Sequence, residues 1–174
     1  MQYIHYYKSP IGHILLTADE QGLTDLMLQG EPWTLSTNHS EKATPAIMES
    51  VRWLDIYFSG NIPDFTPPLH LTGSPFQMEV WKLLLEIPYG KITTYGNLAQ
   101  QIAQQRGISR MSAQAVGGAV GSNPVSIIIP CHRVVGANGN LTGFASGLDN
   151  KIALLKREGF DMNQFYIPSK GTAL

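Results

Sequence analysis

Residues 123–135 hold the only cysteine of the chain, in the order Asn123-Pro124-Val125-Ser126-Ile127-Ile128-Ile129-Pro130-Cys131-His132-Arg133-Val134-Val135. The β-branched apolar run before the cysteine predicts a buried strand. Cysteines in such surroundings are often inert packing residues, so Cys131 is either a packing residue or a nucleophile. The adjacent His132 and Arg133 favour a nucleophile, because a thiol needs a base or a positive field to ionise at neutral pH.

The composition indicates a folded protein of one or two domains, with 174 residues, 43% hydrophobic and 14% charged. No apolar run approaches the roughly 20 residues that span a bilayer, and the N-terminus lacks the order of a signal peptide, so we expect a cytoplasmic protein. A single cysteine forms no internal disulfide, and the histidines lack the paired spacing of a zinc site. Because no glycine-rich phosphate loop follows a predicted strand either, we expect neither a metal nor a cofactor.

The two halves of the chain differ in charge. Residues 1–74 carry three Lys or Arg against eight Asp or Glu, a net charge of −5, whereas residues 75–174 carry nine against five, a net charge of +4. This asymmetry suggests two domains, the second of which faces an anionic partner. With counts this small, ordinary variation in surface charge is an equally good explanation.

The first half has the pattern of a small sheet followed by a helix. Alternating apolar and polar residues predict antiparallel strands at 3–7, 13–17 and 23–28. Helical spacing predicts a helix over 44–58, with Thr44 as its N-cap, Pro45 at its first position and an inward face formed by Ile47, Val51, Leu54 and Phe58. Three prolines place a linker within 61–73. We therefore expect a sheet-and-helix domain at 1–70, a second domain at 74–165 and a tail at 166–174.

The second half contains four helix signals. Ser74-Pro75-Phe76-Gln77 is a capping box for a helix that ends before Pro88, with Phe76, Val80, Trp81, Leu84 and Leu85 on its inward face. Thr94 caps a helix over 95–105 that ends at Gly107, Ser112 caps one over 113–120, and a last helix spans 149–158. The helices over 95–105 and 113–120 are joined by a short loop, and the second is poor in bulky residues. This pair fits either a helix-turn-helix on DNA or a helical hairpin in a core.

The motif around the cysteine resembles one family closely. Pro130-Cys131-His132-Arg133-Val134, preceded by Ala113–Ala119 and Gly121–Pro124, is similar to the O6-alkylguanine-DNA alkyltransferases, also called methylated-DNA-protein-cysteine methyltransferases. The similarity runs through residues 74–159, and the first 70 residues match only in outline. The resemblance implies an α/β (α+β) fold with a ribonuclease-H-like N-terminal domain and a helical, winged-helix-like DNA-binding domain that contains a helix-turn-helix.

The resemblance also implies a reaction and its residues. The partner would be double-stranded DNA containing O6-alkylguanine, flipped out of the stack, with O4-alkylthymine as a second candidate substrate. Cys131 would take the alkyl group irreversibly, in a single turnover. His132 would accept the thiol proton through a water, Glu158 would orient that imidazole, Tyr95 would donate a proton to the departing guanine, and Asn123 would hold the loop before the cysteine. We expect a monomer.

Two further sets of residues are implied by the resemblance. Substrate-binding residues would be Val134, Phe144, Ala145 and Ser146, and DNA-binding residues would be Gly96, Ser109, Arg110 and Gln114. Gln114 stands where the family typically has an arginine that replaces the flipped base; it can still hydrogen-bond the orphaned cytosine, and Arg110 is the candidate for the missing charge. Phe144 replaces a tyrosine, and Ser146 replaces a glycine, which predicts a narrower pocket and slower reaction with bulky adducts.

Other classes of protein remain open at this stage. A cysteine hydrolase needs a similar Cys and His with an orienting Asn, Asp or Glu, and would turn over many times. A sequence-specific regulator would use the helix-turn-helix on one undamaged site. A lesion-binding relative without catalysis would be expected to lack the cysteine, which this chain retains.

Overall fold

The chain forms two compact units in a computed structural model that describes residues 1–29, 31, 33, 35–144 and 146–168. The first unit comprises Met1–Thr72 together with Pro124–Ile128, and the second comprises Gly73–Asn123 together with Ile129–Leu174. The sequence-based division treats each domain as one continuous stretch. In the structure, a five-residue segment just before the cysteine instead belongs to the first unit.

The first unit is built on a four-stranded sheet of order β3-β2-β1-β4, with β1 at Gln2–Ser9, β2 at Gly12–Ala18, β3 at Leu23–Leu28 and β4 at His39–Glu41. The β1–β2 and β2–β3 pairs are antiparallel, which confirms the three predicted strands, while β4 pairs parallel to β1. Strand β4 escapes prediction because its three polar residues, His-Ser-Glu, carry no alternating signal.

Helix α1 spans Pro45–Phe58, and the Thr44 hydroxyl accepts a hydrogen bond from the Ile47 N–H at 3.3 Å, as its N-cap position predicts. The predicted inward face is partly wrong. Ile47 and Leu54 are buried, but Val51 and Phe58 are only half-buried, and Ser50, Trp53 and Tyr57 are buried instead. Hydropathy misplaces the face because Ser50 satisfies its hydroxyl by donating to the Ala46 carbonyl at 2.7 Å, so a polar residue is tolerated inside.

The predicted strand before the cysteine is wrong. Leu26 in β3 donates to the Pro124 carbonyl at 2.9 Å and accepts from the Ser126 N–H at 3.2 Å, but the backbone then turns, with Ile127 at a φ of 69°. Pro124 and Pro130 lack the N–H donors of a ladder, so the segment cannot continue as a strand. The apolar β-branched run therefore indicates that the segment is buried, as Ile127 is, but it does not indicate a strand.

The second unit is mainly helical. Its elements are α2 at Pro75–Leu85, β5 at Thr93–Thr94, α3 at Tyr95–Arg106, α4 at Ala113–Gly121, β6 at Val134–Val135 and α5 at Leu148–Arg157, with short 3₁₀ turns at Cys131–Arg133, Ala137–Gly139 and Met162–Gln164. All four predicted helices are confirmed. The capping box at Ser74 and Gln77 is formed in both directions, and Thr94 and Ser112 accept the hydrogen bonds of N-caps. Leu85, predicted to face inward, is 38% exposed, and Leu83 is buried in its place.

Helices α3 and α4 are joined by a short loop that begins at Gly107. This residue has a φ of 66°, the left-handed conformation that ends a helix and that glycine adopts without strain. The Trp81 indole of α2 donates to the Ala119 carbonyl of α4 at 2.8 Å, which fixes α4 against α2. Strands β5 and β6 pair parallel, bringing Thr93 beside Val134. The segment after the cysteine is thereby tied to the start of α3.

The C-terminal segment is bound to the second unit. Tyr166 donates its N–H to the Gly139 carbonyl at 3.0 Å and accepts from the Leu141 N–H at 2.8 Å. The Phe160 and Phe165 rings pack edge to face with centroids 6.0 Å apart, beside a core formed by Val135, Leu141 and Leu155. Residues 169–174 of the predicted tail lie outside the described residues. Within the described part of the chain, no helix is long and apolar enough to cross a membrane.

Candidate active site

Cys131 begins the 3₁₀ turn that follows Pro130, and the residue is only 7% exposed. Its N–H donates to the Ile129 carbonyl at 2.8 Å. The side chain of Asn123, two residues beyond α4, donates from Nδ2 to the same carbonyl at 2.8 Å. Asn123 therefore links the end of α4 to the residues that carry the thiol, the position at which the sequence predicted a loop-holding role.

The residues that follow the cysteine form a buried polar network with the C-terminal end of α5. Nε2 of His132 lies 2.6 Å from Oε1 of Glu158, and Arg133 donates from Nε to Oε2 at 2.9 Å and from Nη2 to Oε1 at 3.0 Å. Arg133 also donates from Nη1 to the Ile87 carbonyl at 2.7 Å, and the Gly90 N–H reaches Oε2 at 3.3 Å. His132 and Arg133 can be buried because one carboxylate pairs with both side chains.

The charges in this network settle the roles of its nitrogens. Burial opposes ionisation of Glu158, but the hydrogen bonds and charges of His132 and Arg133 outweigh it and lower the pKa of Glu158 to about 2. Burial lowers the pKa of His132, although Glu158 pulls the other way. A neutral imidazole beside an anionic carboxylate keeps its proton on Nε2 and donates it to Glu158. Nδ1, which has no hydrogen-bond partner among the described protein atoms, then carries the basic lone pair.

Tyr95 is the first residue of α3 and is buried. Burial raises the pKa of its phenol to about 12, against a smaller opposing effect of a hydrogen bond with Thr142. The charge of a Cys131 thiolate also raises the pKa of Tyr95, so the two side chains interact electrostatically. The phenol therefore stays protonated over the physiological range and is available as a proton donor.

The predicted substrate-binding residues lie on two segments. Val134 is buried in β6, while Phe144 and Ser146 are half-buried in the loop that leads into α5. In this loop the Gly147 N–H donates to the Phe144 carbonyl at 2.9 Å, and Asn150 donates to the Ser146 carbonyl at 3.3 Å. Ala145 lies outside the described residues.

The four predicted DNA-binding residues are all exposed. Gly96 is the second residue of α3, Ser109 and Arg110 lie in the loop between α3 and α4, and Gln114 is the second residue of α4. Along α4, Gly118 and Gly121 are also exposed, and a Cβ at either position would meet no atom within 4 Å. A backbone with open space over it can approach a phosphate backbone closely.

Two residues of the site make contacts that the sequence did not predict. Arg133 was considered only as a source of positive field, yet it is the main partner of Glu158. Lys151 is fully buried and donates from Nζ to the carbonyls of Val134 at 2.7 Å and Thr142 at 3.0 Å. The signal for Lys151 is its helical spacing with Leu154, Leu155 and Glu158, which places a lysine on the buried face of α5. Among the described residues, no group of three or more His, Cys, Asp or Glu side chains is placed to hold a metal ion.

Comparisons with known proteins agree on one family. Residues 75–160 match the model of the DNA-binding domain of 6-O-methylguanine DNA methyltransferase, and residues 2–71 match the model of its ribonuclease-like domain. The chain is 43% identical to a methylated-DNA--protein-cysteine methyltransferase of Methanosarcina acetivorans over 158 residues, covering 90% of this chain and 98% of that protein. A protein of the same name from Mycobacterium tuberculosis is 42% identical over 157 residues, covering 89% and 92%.

A solved structure gives the same result. The crystal structure of Mycobacterium tuberculosis OGT in complex with DNA matches with a TM-score of 0.79 and 39% identity, covering 94% of each chain. The chain therefore has a ribonuclease-like sheet domain followed by a helical DNA-binding domain. This confirms the predicted fold class. The chain belongs to the 6-O-methylguanine DNA methyltransferase family.

Proposed function

We propose that this protein repairs DNA by direct reversal, moving the alkyl group of O6-alkylguanine in a single, irreversible step to Cys131. The observation that carries the proposal is the buried His132–Glu158–Arg133 network, which begins at the residue after the buried thiol. The family membership supports the same reaction, since the relatives are named for methyl transfer to a protein cysteine. The solved complex of the Mycobacterium tuberculosis protein supports DNA as the partner.

The first step is loss of the thiol proton. His132 accepts it at Nδ1, directly or through a bridging water, because Nε2 already donates to Glu158. The imidazolium that forms is stabilised by the Glu158 carboxylate, whose low pKa keeps it ionised. Glu158 in turn is held by Arg133, so the carboxylate stays aligned with the imidazole while the proton moves.

The second step is displacement at the alkyl carbon. The Cys131 thiolate forms a sulfur–carbon bond as the carbon–O6 bond breaks, and the electron pair of that bond remains on guanine. Tyr95 donates its phenolic proton to the O6/N3 system of the departing base as negative charge develops there. One proton has then left the sulfur for His132 and one has arrived on guanine from Tyr95. Transfer of the imidazolium proton to the Tyr95 phenolate through solvent returns both side chains to their neutral forms. The product on the protein is a neutral thioether, which no group in the site can reverse, so each molecule acts once.

The remaining residues hold the base and the DNA. Asn123 fixes the segment between α4 and the thiol through the Ile129 carbonyl. Val134, Phe144 and Ser146 contact the flipped base, with Ala145 assigned to this set on sequence alone. The exposed residues Gly96, Ser109, Arg110 and Gln114 contact the duplex, and Gln114 fills the space that the flipped base leaves. Slow reaction with bulky adducts, activity on O4-alkylthymine, a monomeric state and a cytoplasmic location stay predictions.

The test uses a duplex oligonucleotide with one O6-methylguanine. We expect one methyl group per protein by intact mass, located on Cys131 by peptide mapping, with unmodified guanine restored in the DNA. A Cys131→Ala variant should restore none. Methylation at another residue, repair by the alanine variant, or many repaired lesions per protein molecule would contradict the proposal. Strong preference for one undamaged DNA sequence, with no transfer, would indicate a sequence-specific regulator.

A further inference from the structure

Lys151 is a fully buried cation whose two hydrogen bonds go to neutral backbone carbonyls. Its Nζ donates to Val134, three residues after the cysteine, and to Thr142, at the start of the loop that contains Phe144 and Ser146. No carboxylate within the described ranges lies in ion-pair distance of Lys151. Burying an ammonium group without a counter-charge is costly. Hydrogen bonds to two backbone carbonyls therefore do not by themselves explain a buried lysine at this position.

The charge balance of the surroundings shows where a counter-charge can arise. Arg133 and Glu158 neutralise each other through a pair of hydrogen-bonded contacts, and His132 is neutral. Lys151 interacts electrostatically with Cys131, and the Tyr95 phenol, which also interacts with Cys131, keeps its proton. Ionisation of Cys131 therefore places a negative charge within electrostatic reach of the buried Lys151 cation.

The electrostatics of the individual groups agree with this balance. Burial lowers the pKa of Lys151 to about 8, and the negative charge of Cys131 is the opposing effect that raises it. Lys151 therefore remains mostly protonated at neutral pH. Its charge also lowers the pKa of His132, which keeps that imidazole neutral before the reaction but opposes its protonation. The favourable effect of the cation on the first proton transfer is therefore on the thiolate.

We propose that Lys151 is a positioning residue that stabilises the Cys131 thiolate by charge while tying β6 to the substrate loop through the Val134 and Thr142 carbonyls. The inference rests on the proposed role of Cys131 as the nucleophile. Because the interaction between two charges is mutual, Lys151 acidifies the thiol by as much as the thiolate makes Lys151 more basic. An opposite charge at close range typically shifts a pKa by about one to three pH units.

The experiment measures thiol ionisation without DNA. Iodoacetamide alkylates Cys131 when the thiolate displaces iodide, so its rate from about pH 5 to about pH 10 traces the ionisation of the thiol. We compare the native protein with Lys151→Met, which keeps a long unbranched side chain but removes the charge. Lys156→Met is the matched control, since Lys156 is an exposed lysine on the same helix.

For Lys151→Met we expect the midpoint of the titration to rise by about one pH unit and the rate at neutral pH to fall roughly tenfold. The rate should rejoin that of the native protein above the new midpoint, and Lys156→Met should leave the curve unchanged. Methyl transfer from O6-methylguanine DNA should fall by the same factor at neutral pH and recover at higher pH. An unchanged midpoint, or a rate lowered by the same factor at every pH, would overturn the electrostatic role.

A second measurement needs no variant at Lys151. In protein labelled with ¹³C at the lysine ε-carbon, the Lys151 resonance should titrate at lower pH in Cys131→Ala than in the native chain, because alanine cannot supply the negative charge. Identical titrations would overturn the proposal even if Lys151→Met does not fold. If Cys131 ionises under the control of Lys151 but takes no methyl group from DNA, the proposed function fails while this inference stands.

Discussion

The imidazole of His132 and the carboxylate of Glu158 lie 2.6 Å apart, Nε2 to Oε1, and both side chains are completely buried. A charge-assisted hydrogen bond of this length, shielded from water, selects one tautomer of the histidine. The basic nitrogen is consequently Nδ1. Arg133, which donates two hydrogen bonds to the same carboxylate, keeps it ionised and aligned.

Replacing Glu158 by glutamine should slow methyl transfer by about 100-fold or more, within the range found when a base loses its orienting partner. The amide can present its NH₂ group to Nε2, which would move the imidazole proton to Nδ1 and remove the base. Single-turnover rates on O6-methylguanine duplex give the measurement, with Glu49→Gln on the exposed surface of α1 as control. A Glu158→Gln rate within threefold of the native rate would contradict the proposed role.

The stability of the protein should fall steeply in acid because of the same carboxylate. Its pKa is lowered from 4.5 to about 2, so its contribution is present above about pH 4.5 and is lost as the pH falls towards 2. A shift of this size corresponds to about 3 kcal/mol. Urea unfolding at several pH values measures it, and in Glu158→Gln this part of the pH dependence should be absent. If the free energies of unfolding of the native protein and of Glu158→Gln change equally with pH between about 4.5 and about 2, the proposed contribution of Glu158 is refuted.

Tyr95→Phe should keep the packing of α3 but remove the proton donor. We expect methyl transfer to fall by about 100-fold, while iodoacetamide still alkylates Cys131 at close to the native rate. Tyr166→Phe, at a half-exposed tyrosine, serves as the control. Since the pKa of Tyr95 is raised to about 12, the native transfer rate should show no alkaline decline from this residue below about pH 11. Full activity of Tyr95→Phe would assign the donor elsewhere.

Gln114→Ala should weaken the reaction on duplex DNA, by about tenfold, because an alanine cannot occupy the gap left by a flipped base or hydrogen-bond the unpaired cytosine. The iodoacetamide rate, which requires no base flipping, should not change. Gln104→Ala, at another exposed glutamine, on α3, is the matched control. Equal loss of reactivity towards iodoacetamide and DNA would show that Gln114 supports the fold and not the flipping step.

Gly139→Ala should destabilise the second unit by about 2 kcal/mol or more. Gly139 has a φ of 79°, and a Cβ there would overlap the carbonyl oxygen of Gln164. Gly118→Ala is the contrasting change, since α4 has open space at that position and alanine favours a helix by roughly 0.5–1 kcal/mol. Thermal or urea unfolding compares them. Equal stability of Gly139→Ala and the native protein would mean that the C-terminal segment does not pack against Gly139 as described.

The local signals of the chain were enough to predict most of its elements. Helix starts at Pro45, Pro75, Tyr95 and Ala113 follow from capping side chains whose hydrogen bonds reach only three residues ahead, so no distant contact is needed. The three long strands follow from alternation for the same reason. The motif at Cys131 was specific enough to indicate the family, because Pro130-Cys131-His132-Arg133-Val134 closely resembles the motif of that family.

Other features depend on parts of the chain that lie far apart in sequence. The Pro124–Ile128 segment looks like a strand, but Pro124, the nearby Pro130 and its pairing with a single residue of β3 make it turn. Arg133 becomes an internal counter-charge only because α5 ends with Glu158 beside it, 25 residues later. Whether a polar residue is exposed or buried is set by its partner, and local hydropathy contains no information about that partner.

The sequence by itself therefore determined the helices, the three long strands and the two-domain plan, and it indicated Cys131 as the candidate nucleophile, since these depend on local geometry and on residue chemistry. Only the tertiary structure decided which nitrogen of His132 is free to act as a base, and that Lys151 lies buried within electrostatic reach of Cys131. The physical reason is that protonation states and buried charges depend on three-dimensional distances and on exclusion of water, which arise only when the distant segments pack together.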